Sequence, residues 1–159
     1  MTNQSTSAFS FASSTNVFQL ASSREKILIN ENVSVWSDSV KRRLEELIKL
    51  PTGWDGYQGV HVSFENANFA YRVLDAICRP ETHAPQIVPG TAGDLQLEWH
   101  TQQGDIELHV KGPNRVHAWR AMTEGNADGE EMDLTNDFAV VAQWVKEIME
   151  PPIVASAAA

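Results

Sequence analysis

Apolar and polar positions alternate with two different periods along the chain, and the change of period separates helices from strands. From Ser37 onward, Val40, Leu44, Leu47 and Ile48 recur at helical spacing with Lys41, Arg42, Glu45 and Glu46 between them, and Pro51 closes the run. This predicts an amphipathic helix. A second helix is expected from Ser63, whose hydroxyl suits the capping of free amides in the next turn, with Glu65 near the positive end of the helix dipole. Ala67, Ala70, Tyr71, Leu74 and Ile77 form its stripe, and Pro80 lies just beyond. Between the helices, Pro51 to Gly59 is too rich in glycine for regular structure and predicts a defined turn or a binding loop.

After Pro85 the period becomes two. Leu95, Leu97 and Trp99 alternate with Gln96, Glu98 and His100; Ile106, Leu108 and Val110 alternate with Glu107 and His109. These are half-buried strands joined by a short hairpin at Thr101 to Gly104, and the turn Gly112-Pro113-Asn114 leads into a third strand near Val116 to Met122. Gln86 to Val88 suits a short leading strand at a sheet edge, where its flanking prolines are tolerated. Residues 123–133, with Gly125, Gly129 and a run of acids, are expected to form an exposed loop. A last helix is expected from about Thr135 or Asn136, with Leu134, Phe138, Val141, Val145 and Ile148 in one stripe, Trp144 beside it, and Pro151 as its stop. The fold class that follows is α+β: an antiparallel sheet of three to four strands with helices packed on one face. Residues 34–150 would form this single domain, residues 1–33 a flexible or loosely docked arm, and residues 151–159 a disordered tail.

Composition narrows the class. The 159 residues are 42% hydrophobic and 21% charged, which suits an ordinary globular domain able to fold without metal or disulfide. No apolar run approaches a membrane span, so no membrane association is expected. The first 23 residues carry no charge and are broken by serines, unlike a secretory leader. Cys78 is the one cysteine, which suits the reducing cytoplasm.

The net charge of −9 is unevenly spread: residues 1–80 hold eight acids and eight bases, whereas residues 81–150 hold thirteen acids against Lys111, Arg115, Arg120 and Lys146. Such a surface repels phosphate backbones, so direct nucleic-acid binding is disfavoured and a protein partner with a basic surface is accepted more easily. Solubility alone also accounts for the charge.

Three pieces of the chain together resemble a family of small uncharacterised bacterial proteins. They are the loop Gly53-Trp54-Asp55-Gly56-Tyr57 before a helix, the strand Leu97-Glu98-Trp99, and its partner Ile106-Glu107-Leu108, within a match over about residues 50–121. The chain departs from that pattern at Val62, where the family has proline, and at His109, where it has an aliphatic or acidic residue. The resemblance implies the fold and carries over no activity.

Strand arithmetic supplies the strongest candidate site. With the apolar residues on one face, Leu97 opposes Leu108, Trp99 opposes Ile106 and Glu98 opposes Glu107, a like-charge pair that needs neutralising. One register of the third strand puts Val116 opposite Val110 and His117 opposite His109. Glu98, Glu107, His109 and His117 then share an exposed face with a donor set suited to zinc or another divalent ion. Shifted by one residue, Arg120 faces Glu107 and His117 turns inward, and this plainer arrangement is preferred because solvated strand faces commonly carry Glu and His. No metal or other cofactor is therefore expected.

Trp54, Asp55 and Tyr57 form a second candidate, as a structural latch or a binding contact, and Trp119 on the third strand poses the same choice. Glu124 to Glu130 resembles the front of a calcium loop, but Thr135 occupies the position of the closing glutamate. Nucleophile elbows, phosphate loops, His-Glu-x-x-His and paired cysteines are all missing from the sequence, and Cys78 reads as a small core residue. The expectation is a non-catalytic cytoplasmic bacterial interaction module that binds through Trp54, Asp55, Tyr57, Glu98, Glu107 and Trp119, for example a neutralising or accessory partner of a toxin. The alternative is a metal-dependent hydrolase on the Glu/His face, where an ion would activate water.

Overall fold

A computed structural model describes residues 34–124 and 129–150 throughout, together with the backbone of two segments nearer the start, 15–19 and 26–30. The chain divides into two units, Met1–Asn32 and Val33–Ala159. In the first, within the stretch 1–33 expected as a flexible or loosely docked arm, β1 (Thr15–Gln19) and β2 (Lys26–Asn30) pair antiparallel, with Val17 opposite Leu28. The rest of that arm, the centre of the calcium-like loop at 125–128 and the tail at 151–159 lie outside the described residues.

The second unit is α+β, with three helices and an antiparallel sheet of five strands, one more than the expected upper bound. Helices α1 (Ser37–Ile48) and α2 (Phe64–Ile77) follow the apolar stripes: Val40, Leu44 and Leu47 of the first and Ala67, Ala70, Tyr71 and Leu74 of the second are buried. Ser63 caps α2 through its hydroxyl, which accepts from the Asn66 amide at 3.1 Å. Ser37 and Tyr71 hydroxyls join the two helices at 2.9 Å, and the Trp36 and Tyr71 rings meet beside them at 5.6 Å.

Strands β3 (Gln86–Pro89), β4 (Leu95–His100), β5 (Gly104–Gly112), β6 (Arg115–Met122) and β7 (Glu130–Leu134) lie in chain order, each antiparallel to the next. Helix α3 (Ala139–Met149) starts a few residues later than expected; Phe138 stands at its N-cap, and the Asp137 carboxylate just before it accepts from the Ala139 amide at 3.0 Å. Helices α2 and α3 pack on the apolar side of β5, and α1 packs against β3. Leu95, Leu97, Ile106, Leu108, Val110, Val116 and Ala118 make the sheet's half of the core, and Trp144, Val145 and Ile148 close it from α3.

Two expectations are corrected. Strand β7 comes from the end of the segment read as an exposed loop: only Met132 and Leu134 of its five residues are half-buried, so its acidic sequence carries almost no strand signal. The register of β6 is also not the preferred one. Val116 stands opposite Val110, His117 opposite His109 and Trp119 opposite Glu107, while Arg120 stands opposite Ile106 and not Glu107. This register buries Val116 and Ala118, and the long Arg120 side chain escapes the apolar layer to reach Glu147 on α3 at 2.6 Å and Glu130 on β7 at 3.1 Å.

Candidate functional site

With the helices on one side, the pleat sends every second strand residue to the other, and the ladder pairings set those residues in rows. One row runs Val88, Gln96, His109, His117, Asp133; the next runs Gln86, Glu98, Glu107, Trp119, Glu131; His100, Asp105 and Ala121 form a third. The expected opposition of Glu98 and Glu107 is present, and Trp119 and Glu131 continue the same row. The three rows hold five carboxylates and three imidazoles and no lysine or arginine. Lys111 and Arg115 stand apart at the β5–β6 turn.

Each imidazole on this face has its own acid. His100 Nδ1 lies 3.0 Å from Asp105 and its Nε2 3.3 Å from Glu98. These hydrogen bonds, Asp105 first and Glu98 second, hold the imidazolium and raise the His100 pKa above its ordinary 6.5. His117 Nδ1 lies 2.9 Å from Asp133, with Glu131 3.6 Å from its Nε2. His109 Nε2 bonds the Asp94 carboxylate at the β3–β4 turn. Partial burial pushes the Asp94 pKa up, but the His109 contact and backbone N–H donors, including that of Ala92, outweigh it and leave it below 3.8.

Glu98, Glu107, His109 and His117 therefore share a face without converging on a point: the two imidazoles stand opposite each other and turn to different carboxylates. Among the described residues, no group of three or more His, Cys, Asp or Glu side chains has a geometry that would hold a metal ion. A surface of this kind attracts cations over an area.

Trp119 is half-buried within the carboxylate row. Gly129 enters β7 with φ +73°, and a Cβ there would stand 2.8 Å from both Trp119 Nε1 and the Arg120 carbonyl oxygen. Only glycine allows that approach.

The Trp54 loop is built on its own backbone. Asp55 Oδ1 accepts from the amides of Tyr57 at 2.9 Å and Gly59 at 3.0 Å, and these two bonds hold its carboxyl below the ordinary 3.8. Trp54 Nε1 donates to the Val60 carbonyl at 2.9 Å, and the Gly53 amide to the Gly59 carbonyl at 2.7 Å. Val60 in turn bridges to the β3–β4 turn, its amide bonding the Thr91 carbonyl at 3.0 Å. Trp54 and Asp55 are thus bonded to the loop's own backbone, whereas Tyr57 projects outward with 85% of its surface exposed.

Sequence reasoning missed Asp94, His100, Asp105, Glu131 and Asp133. Alternation along β4 and β5 already placed His100 and Asp105 outward, but Glu131 and Asp133 join the face only once β7 is known to be a strand. Cys78 edges a cavity of about 390 Å³ between the end of α2 and α3; burial, with Asp75 nearby, pushes its thiol up to about 12, far from a nucleophile's range. The chain matches no family model, no curated protein and no solved structure.

Proposed function

We propose that this chain is a non-catalytic protein-interaction module whose sheet face opposite the helices docks a partner with a basic surface. One observation carries the proposal: the row Glu98, Glu107, Trp119, Glu131 sets three carboxylates and a half-buried indole side by side on the sheet face opposite the described helices. Carboxylates aligned this way repel one another and favour a cationic surface laid across them, while an aromatic among charges is a common centre of interface energy. The same charge repels phosphate backbones, so the partner is a protein rather than a nucleic acid. No described helix is long and apolar enough to cross a membrane. The single reduced cysteine favours the cytoplasm, and the resemblance favours a bacterial setting, where a neutralising or accessory partner of a basic toxin is one such role.

Affinity capture from host lysate with the full chain tests this against a Glu98→Gln/Glu107→Gln variant. The wild type should retain a defined basic protein that elutes with salt, and the variant should retain about tenfold less. Equal retention by both forms overturns the assignment of this face.

A further inference from the structure

We propose that the outer edge of β7, which pairs with no other described strand, takes up a basic extended segment of the partner as a sixth strand. This deepens the interaction reading above and rests on it for the partner's charge. The two edges of the sheet are treated differently. Strand β3 has four residues, ends in Pro89 and follows Pro85; α1 packs against it, and Arg43 Nε donates to the Ile87 carbonyl at 3.1 Å. Proline and an occupied carbonyl close that edge to pairing.

Among the described residues, strand β7 carries no proline and no side-chain donor on its backbone carbonyls. It is the last strand in the order, has five residues without proline or lysine, and among the described residues makes backbone hydrogen bonds only through its pairing with β6. On the helix side, Met132 and Leu134 lie beside Ala118 and Val116 and are only half-buried, so the apolar layer is unfinished there.

The charges of β7 decide the occupant. A second copy pairing antiparallel about Met132 would bring Glu131 opposite Asp133 twice, a repulsion that disfavours self-association. A segment that alternates basic and apolar residues fits instead. Its Lys or Arg would stand beside Glu131 and Asp133 on the face opposite the helices, and its apolar residues would complete the layer beside Met132 and Leu134, with main-chain bonds supplying affinity and side chains supplying selection.

The test uses the full chain and a synthetic peptide of alternating Lys and Val, with four comparators: alternating Glu and Val, a proline-interrupted scramble, and two peptides N-methylated on alternate residues. The Lys–Val peptide should bind and shift the amide resonances of Glu130 to Leu134. One N-methylated form should lose about tenfold in affinity, the worth of a main-chain hydrogen bond or two, while the other is little changed. The Glu–Val peptide and the scramble should not bind, and Glu131→Gln/Asp133→Asn should weaken the Lys–Val peptide while the far-ultraviolet spectrum stays that of the wild type. Equal binding by both methylated forms, or shifts centred on Glu98 and Glu107, overturns the edge site and leaves the face reading standing. Absence of peptide binding, or self-association of the chain through β7, also overturns it. The lysate comparison with Glu98→Gln/Glu107→Gln judges the face separately.

Discussion

Glu98 stands directly opposite Glu107 on adjacent antiparallel strands. Among the described residues its one bonded cation source is His100, at 3.3 Å, and the Glu98 side chain keeps only 16% of its surface exposed. Opposed like charges weaken a ladder, so Glu107→Gln should raise stability by about 0.5 kcal/mol. Thermal melting should show a rise of about 2 °C. Improved stability together with weaker partner retention would mark a residue kept for binding. A lower melting temperature would show instead that Glu107 makes a stabilising interaction.

Arg120 lies over the Trp144 ring, 4.8 Å from its centroid, and reaches Glu130 and Glu147 with 15% of its side chain exposed. Arg120→Ala removes this cover and leaves two carboxylates without their cation, so a loss of about 2 kcal/mol is expected. Arg120→Met, which keeps the packing over Trp144 but not the charge, should lose less. Denaturant unfolding of the two variants separates packing from charge.

Glu147 gives the same cluster a pH signature. Its pKa is lowered below 4.5 chiefly by the Gln143 hydrogen bond, then by Arg120 and Lys146, against an opposing effect of burial. A depressed carboxylate contributes stability above its unfolded pKa and loses it as the pH falls through the folded value. Melting temperature should therefore fall on acidification below about pH 4.5, and less steeply in Gln143→Ala.

His100 should act in the opposite sense. Its pKa is raised above 6.5 by Asp105 and Glu98, so its contribution is complete below the unfolded value and fades as the pH rises through the folded one. Because the ring is largely exposed, the readout is its own titration, not the melting curve. Proton NMR should place the imidazole midpoint above 6.5 in the wild type and closer to 6.5 in Asp105→Asn, the larger cause, than in Glu98→Gln.

Asp55 tests the latch. In Asp55→Ala the amides of Tyr57 and Gly59 lose their acceptor, and their hydrogen exchange should quicken while amides in α2 stay protected. Retained protection would mean that the glycine-rich backbone holds the turn by itself. Partner retention unchanged in Asp55→Ala but reduced in Tyr57→Ala would locate any contact made by this loop in the exposed ring.

What the sequence determined by itself is local. Periods of 3.6 and 2 placed α1, α2, β4 and β5, Ser63 announced its cap, and alternation within one tight hairpin brought Glu98 opposite Glu107, because each signal lies within a few residues of its effect. Tertiary structure decided the rest. The β6 register depended on whether Arg120 had an exit through the helix layer, which rests on Trp144 and Glu147 in another element. The strand character of Glu130–Leu134 comes from pairing to β6, since an acidic edge strand buries too little to show a period of its own. The acids that hold His109 and His117 likewise lie 15 and 16 residues away, at distances that only long-range pairing brings within hydrogen-bond reach.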